Sequence, residues 1–190
     1  MAVYYAAKEN ILTWPIGLIN IITAFFIYYH VRLYSDMFLQ IYFICISIYG
    51  WLIWNMEHRN AVPLKYLSNQ GLALFAFLII ICTIVLGKFM SHIHEFFPSA
   101  FPEPAAYPYS DTLVAVASII ANTLMARRFI ESWILWIGVD VICVYLYFQK
   151  DIKFIAFEFL IFLILACFGL YNWIQMKRKQ DQISKSLHRL

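Results

Sequence analysis

The stretch Gly71–Met90, GLALFAFLIIICTIVLGKFM, is apolar over almost its whole length, with only Cys82 and Thr83 interrupting its centre. A helix needs about 20 predominantly apolar residues to cross a bilayer, and this stretch is long enough. Backbone polar groups in lipid must be satisfied by a helix or a closed barrel. Odd and even positions are equally apolar, unlike the alternation of a barrel strand. The stretch therefore predicts a membrane-spanning helix.

Five further segments have the same character. They are Trp14–His30, Asp36–Trp54, Thr112–Ala126, Trp133–Phe148 and Phe154–Gln175. Of the 190 residues, 63% are hydrophobic and 13% are charged, against about 45–50% and about 25% in average soluble proteins. The sequence therefore predicts an all-α membrane protein with six transmembrane helices embedded in a lipid bilayer. This composition argues against a soluble enzyme, a disordered chain and a nucleic-acid-binding protein.

Basic residues cluster between alternate segments, which predicts the orientation of the chain. One side is the richer in Lys and Arg and carries Lys8, Arg59, Lys65, Arg127, Arg128, Lys177, Arg178 and Lys179. The other side carries Arg32, Lys88, Lys150 and Lys153. Connections rich in Lys and Arg stay in the cytoplasm. Both ends of this chain, including the C-terminus, are therefore expected to be cytoplasmic.

Two pairs of short strings indicate an internal repeat. Residues 7–14, AKENILTW, and residues 126–133, ARRFIESW, share the pattern A-[KR]-x-x-I-x-[ST]-W. Residues 47–51, SIYGW, match residues 169–173, GLYNW, at a similar offset with small insertions or deletions. Both copies run in the same direction, as in transporters built from parallel repeats. The pattern predicts two three-helix repeats joined by the linker helix Gly71–Met90.

The repeat also predicts how the chain is divided. Residues 1–55 form the first repeat, 56–109 the linker helix and a Pro-rich extracytoplasmic loop, 110–176 the second repeat and 177–190 a cytoplasmic tail. A full helix precedes the second string, whereas only Met1–Ala6 precede the first. The first repeat is therefore expected to lack most of its first helix. A first half that folds differently, or a start codon assigned too late, would explain the same difference.

The strongest candidate site lies on the fifth segment. Trp133, Trp136 and Asp140 are spaced i, i+3, i+7 and share one helix face. A carboxylate in the middle of a membrane helix is costly and indicates function. Indole faces beside a carboxylate suit a flat, cationic, aromatic ligand. We therefore predict a binding site there, with Asn20 of the first repeat at the matching depth.

Other polar or aromatic side chains are candidates by position. They are Gln40, Trp51, Asn122 and Asn172. Amides suit the hydroxyl groups or carboxamide of a ligand. Trp51 is equally consistent with an interfacial belt, and Asn122 with hydrogen bonding between helices. No residues form a catalytic pattern, and His92 and His94 lack a third histidine for a metal, so neither an enzyme, a metal site nor a cofactor is predicted.

Several of these strings resemble one known family. Residues 14–20, WPIGLIN, residues 33–37, LYSDM, residues 47–51, SIYGW, and residues 131–136, ESWILW, followed by Asp140, are similar to the PnuC family of vitamin transporters. The resemblance runs from about Ala6 to about Met176. It implies a SWEET-like bundle of seven helices in a three-plus-one-plus-three arrangement, of which this chain carries six.

The resemblance also implies a function. PnuC-like proteins carry nicotinamide riboside, a precursor of NAD, across the bacterial inner membrane by facilitated diffusion, and a cytoplasmic kinase then traps the substrate. Trp133, Trp136 and Asp140 match the family's substrate-binding motif, whereas Asn20, Gln40, Trp51, Asn122 and Asn172 are matched by position only. Some members have Asn in place of Asp140. A carboxylate there favours a cationic ring over neutral riboflavin and leaves proton coupling open.

Three hypotheses follow for the function of the chain. The first is a carrier for nicotinamide riboside that works by alternating access. The second is a carrier of the same architecture for thiamine. The third, motivated by the missing helix, is an inactive membrane fragment or scaffold. The sequence leaves the assembly into homo-oligomers open.

Overall fold

The computed structural model describes residues 1–30, 34–60, 63–99, 104–105, 107–149, 151 and 153–187. The predicted basic residues Arg32 and Lys150 lie outside this range, and so does Leu33 of the LYSDM string. Within the described range the chain forms eight helices, which are α1 (Ala2–Ala7), α2 (Thr13–His30), α3 (Tyr34–Asn60), α4 (Asn69–Ser91), α5 (Ile93–Phe96), α6 (Pro108–Ala126), α7 (Glu131–Gln149) and α8 (Lys153–Leu187).

Helices α3, α4, α6, α7 and α8 are long and apolar enough to cross a membrane. This confirms the prediction of an all-α membrane protein. The apolar helix Thr13–Phe26, which is part of α2, is shorter than these five, and spanning requires about 20 residues. Five of the described helices, rather than the predicted six, therefore meet this criterion.

Local sequence explains where several helices begin. The hydroxyl of Ser68 accepts a hydrogen bond from the N–H of Gly71 at 3.1 Å and so caps α4. Pro108 occupies the first turn of α6, where a missing N–H costs nothing. Arg128 has a left-handed backbone with φ 64°, which ends α6 and turns the chain into α7.

The helices pack in two groups that meet along the middle of the bundle. Helix α2 packs on α3 in the first group, and α7 packs on both α6 and α8 in the second. The short helix α1 contacts α2 and α8, and α3 contacts α6, so both groups share an interface. Helix α4 lies against α6 on the outside of the second group.

The same close contact between an indole and a glycine occurs in each group. The ring of Trp14 lies on Gly50, and the ring of Trp133 lies on Gly169. A Cβ atom at either glycine would collide with the indole, so these positions of α3 and α8 require glycine. Trp14 and Gly50 are as far apart in the sequence as Trp133 and Gly169.

These contacts correct the predicted alignment of the second pair of strings. Gly50 corresponds to Gly169, and Trp54 then corresponds to Trp173, at the same offset that relates Trp14 to Trp133. The structure therefore favours the match of Trp54, rather than Trp51, with Trp173, and this match needs no insertion. Burial agrees, because Trp54 and Trp173 are buried whereas Trp51 is 42% exposed.

Four indoles form a continuous cluster that joins the two groups of helices. Ring centroids are 5.3 Å apart for Trp14 and Trp54, 6.0 Å for Trp54 and Trp173, and 5.6 Å for Trp173 and Trp133. Edge-to-face geometry is a favourable arrangement for two such pairs. The Nε1–H of Trp173 also donates to the carbonyl of Ala6 at 3.0 Å, which ties α8 to α1.

Candidate functional site

A cavity of about 290 Å³ lies between the two groups of helices. Helices α1, α2 and α3 contribute Ala2, Val3, Ala6, Thr13, Trp14, Gly17, Ile21 and Ser47. Helices α6, α7 and α8 contribute Asn122, Met125, Trp133, Trp136, Asp140, Phe159, Phe162 and Ala166. The volume is at the lower end of the range for small-molecule sites, about 300–1,000 Å³.

One face of α7 supplies the polar and aromatic side of this cavity. Trp133, Trp136 and Asp140 line it together, as their helical spacing predicts. Trp133 is fully buried and Asp140 is 4% exposed. Helix α7 therefore places two indole rings and a carboxylate beside the same cavity.

Asn122 of α6 lines the same cavity and is half-buried. Its amide can both donate and accept hydrogen bonds. Helix α6 is held at this position by Tyr42 of α3, whose hydroxyl bonds to the Thr123 hydroxyl at 2.8 Å and to the Ile119 carbonyl at 3.1 Å. Four of the predicted site residues, Asn122, Trp133, Trp136 and Asp140, are thus brought together.

The other four predicted site residues lie away from the cavity lining. Asn20 is on an exposed face of α2, Gln40 is half-buried on α3, and Trp51 is exposed. Asn172 donates its amide N–H to the carbonyl of Ala7 at 3.3 Å and so connects α8 to α1. This contact gives Asn172 a structural partner.

Several cavity residues were not predicted as site residues. Trp14, Gly17 and Ile21 line it from α2, and Phe159 and Phe162 line it from α8. Trp14 could have been found from the repeat, because it corresponds to Trp133. The same offset relates Gly17 to Trp136 and Ile21 to Asp140, whereas nothing in the sequence distinguishes Phe159 and Phe162 from ordinary residues of the apolar core.

The cavity has a mostly apolar lining that carries one acidic group. Asp140 is the only ionisable side chain among the described residues that line it. The other polar groups there are the Asn122 amide, the hydroxyls of Thr13 and Ser47, and the indole N–H groups. Such a site attracts a cation and offers hydrogen bonds, but it holds no positive group for a phosphate.

A second polar cluster lies at the end of the bundle that carries Lys8, Arg128 and Lys177, which we call the basic end. Arg128 forms an ion pair with Glu9. Burial lowers the pKa of Arg128 to about 10, so its guanidinium stays protonated at neutral pH. The guanidinium also lies 5.7 Å from the ring centroid of Trp54, within cation–π range.

The connection between α3 and α4 is fastened across this end. Lys65 forms a short parallel bridge with Phe129, and the Leu67 N–H donates to the carboxylate of Glu131 at 3.1 Å. The Leu64 N–H donates to the side-chain oxygen of Gln180 at 3.0 Å. These bonds explain why Glu131 is buried at the start of α7.

The described residues contain no group of three or more side chains that could hold a metal ion. His94 and Glu95, which lie in the predicted extracytoplasmic loop, approach each other to 4.0 Å. Two such ligands do not complete a metal site.

Comparison with known proteins identifies the family. Residues 1–175 match the sequence model of the family described as "Nicotinamide mononucleotide transporter". The "Nicotinamide riboside transporter PnuC" of Escherichia coli is 27% identical over 197 residues, which span 92% of this chain and 81% of the relative. The "Riboflavin/roseoflavin transporter RibM" of Streptomyces davaonensis is 22% identical over 181 residues, 92% of this chain and 80% of that protein.

A solved structure supports the fold. The crystal structure of the Vitamin B3 transporter PnuC superposes with a TM-score of 0.68 at 22% sequence identity, covering 94% of this chain and 77% of the other. The helical architecture described above is therefore that of a known transporter. The family match, which includes both groups of helices and all the cavity residues, shows that the chain is a transporter of the PnuC type and belongs to the nicotinamide mononucleotide transporter family.

Proposed function

We propose that this chain carries nicotinamide riboside across a membrane. The observation that carries the proposal is the pairing of Trp136 with Asp140 in one cavity. The nicotinamide ring of this nucleoside is flat, aromatic and cationic, so it can stack on an indole and be neutralised by a carboxylate. The carboxamide and ribose hydroxyls can bond to Asn122 and Ser47, which line the same space.

The charge of the cavity favours the nucleoside over its phosphate ester. Nicotinamide mononucleotide carries a phosphate, and Asp140 would repel it across a low-dielectric space. Among the described lining residues no cation compensates for that charge. The proposed substrate therefore agrees with the name of the Escherichia coli relative more closely than with the description of the family.

The proposed mechanism is facilitated diffusion by alternating access, in which two parallel three-helix repeats rock around the cavity in a SWEET-like bundle. The repeated indole–glycine contact supports this division, and so do the left-handed residues Glu9 and Arg128 at the same position of the two repeat strings. Residues 1–55 would be the first repeat, 110–176 the second, 56–109 the connection and 177–190 the tail. Helix α2 would then be the sixth span.

The proposed location is the bacterial inner membrane, with the C-terminus in the cytoplasm. Lys8, Arg128 and Lys177 lie at one end of the bundle, and an excess of Lys and Arg faces the cytoplasm. A kinase that phosphorylates the nucleoside there would trap it, because the cavity does not suit a phosphate. Assembly into homo-oligomers is part of the same proposal.

The two alternatives have less support. Thiamine is not favoured, because the relatives reported above are named for nicotinamide riboside, riboflavin or vitamin B3. An inactive scaffold would have no need of a cavity that carries a carboxylate, since filling it with apolar side chains would give a better packed interior. The cavity thus favours a carrier.

Ligand binding to the purified protein tests the proposal. Trp133, Trp136 and Trp14 line the cavity, so a bound pyridinium ring should quench tryptophan fluorescence. We expect saturable quenching by nicotinamide riboside and little or none by nicotinamide mononucleotide or thiamine. Saturable quenching by thiamine but not by nicotinamide riboside would replace the proposed substrate, and no saturable quenching by either would reject it.

A further inference from the structure

Helices α2 and α7 place corresponding residues on opposite sides of the cavity. The offset that relates Trp14 to Trp133 also relates Gly17 to Trp136 and Ile21 to Asp140, and all six residues line the cavity. The two helices therefore present the same face to the same space. On α7 this face carries the indole of Trp136 and the carboxylate of Asp140. At the corresponding positions of α2, Gly17 has no side chain and Ile21 has an aliphatic one.

The bare position at Gly17 is not required by helix packing. A Cβ atom built there would meet only the Cβ of Ala2, at an ordinary contact distance of 4.0 Å. At Gly50 and Gly169, in contrast, a Cβ would collide with an indole. The absence of a side chain at Gly17 therefore leaves space that belongs to the cavity.

The side of the cavity near the first group of helices also carries a hydroxyl group, that of Ser47. The offset relates Ser47 of α3 to Ala166 of α8, and both residues line the cavity. A hydroxyl is thus present only on the side that has the open position. This side suits the hydroxyl-bearing part of a ligand, and the α7 side suits its cationic ring.

We propose that Gly17 is a specificity-determining residue. The space left by its missing side chain holds the ribose of a nucleoside whose ring lies at Trp136, and a larger residue would limit the size of the ligand. The inference rests on the proposed function and goes beyond it, because it assigns the two parts of the ligand to different helices. The cavity volume of about 290 Å³ is small for a ligand site, so a few additional carbon atoms at Gly17 should exclude the sugar.

The test measures binding of two ligands to the parent chain and its variants. Gly17→Ala and Gly17→Leu add side chains of increasing size, and both residues favour a helix more than glycine does. Gly138 provides the matched control: it lies on an exposed face of α7, where a Cβ meets nothing within 4 Å. Fluorescence quenching is followed with nicotinamide riboside and with 1-methylnicotinamide, which keeps the cationic pyridinium ring but lacks the ribose.

We expect the affinity for nicotinamide riboside to fall in the order parent, Gly17→Ala, Gly17→Leu, with a loss of about tenfold or more for leucine. 1-Methylnicotinamide should quench the parent and Gly17→Leu alike, and Gly138→Leu should bind both ligands like the parent. If the parent binds the nucleoside and Gly17→Leu binds it equally well, the size limit is wrong while the proposed function stands. Loss of both ligands in Gly17→Leu would also overturn it, and a parent that does not bind the nucleoside would reject both proposals.

Discussion

Glu9 and Arg128 form an ion pair at the basic end, and each is the third residue of its A-[KR]-x-x-I-x-[ST]-W string. Both have left-handed backbones, with φ of 56° and 64°. The side chains are only 12% and 11% exposed. Arg128 lies over Trp54, which contacts the cavity-lining Trp14. The pair therefore joins the two groups of helices just beyond the indole cluster.

Removing one member of this pair should destabilise the protein. Loss of one partner from a buried ion pair costs about 3–5 kcal/mol, because the other charge is left uncompensated. We expect Glu9→Gln and Arg128→Gln each to lower the thermal unfolding temperature in detergent. Because Glu9 and Arg128 occupy the same position of the two strings, we expect the exchanged variant, with Glu9→Arg and Arg128→Glu combined, to recover part of the lost stability. A double variant no more stable than the single ones would show that the pair is not the cause.

The glycines beneath the two indoles should be equally sensitive to a methyl group. Gly50→Ala would collide with Trp14, and Gly169→Ala would collide with Trp133. Overpacking of this kind costs about 1–3 kcal/mol. We expect both variants to unfold at lower temperatures than the parent, whereas Gly138→Ala should be at least as stable. Unfolding of all three at the parent temperature would contradict the close packing.

Asp140 should select for a cationic ring. Replacement by Ala or Asn removes the charge that compensates the pyridinium, and we expect about a tenfold or greater loss of affinity for nicotinamide riboside. Asp140→Asn keeps the shape and should bind neutral ligands no more weakly than the parent does. Titration of both variants with nicotinamide riboside and riboflavin measures the difference. Equal affinity of parent and Asp140→Asn for the nucleoside would remove the electrostatic role.

Substitution of two asparagines compares a residue that lines the cavity with a residue that lies only at a similar depth along its helix. Asn122 lines the cavity, whereas Asn20 is exposed on α2. We expect Asn122→Ala to weaken nucleoside binding by about 1 kcal/mol, the usual value of one hydrogen bond, and Asn20→Ala to leave it unchanged. The two dissociation constants, measured in the same detergent, provide the comparison. A larger effect at Asn20 would place the ligand elsewhere.

Helical spacing was enough to bring part of the site together from the sequence. Trp133, Trp136 and Asp140 share a face because a helix repeats every 3.6 residues. Asn20 is predicted by its depth in the first repeat rather than by helical spacing, and Ile21 is the residue that both has the offset of Asp140 and lines the cavity. Asn20 is polar and therefore stands out as a candidate in an apolar helix, whereas the neighbouring aliphatic Ile21 does not. In α3 likewise, Trp51 was chosen although Trp54 is the buried indole.

The apolar lining could not be found from the sequence. The residue type and the spacing of Phe159 and Phe162 are the same as those of residues that face lipid. Lipid and protein interior are equally apolar in a membrane bundle, so the sequence does not separate the two. Gly17 carries no side chain, and the packing of α2 against the other helices places it on the cavity. The offset between the two repeat strings also relates Gly17 to Trp136.

Uptake into liposomes is the most direct test of the central claim. Purified parent protein and Trp136→Ala are reconstituted separately, and entry of labelled nicotinamide riboside is followed without any ion gradient. We expect the parent to show saturable uptake that unlabelled nucleoside blocks and nicotinamide mononucleotide does not block. We expect Trp136→Ala to show no such uptake. Absence of uptake by the folded parent, or equal uptake by Trp136→Ala, would contradict a carrier that works through this cavity.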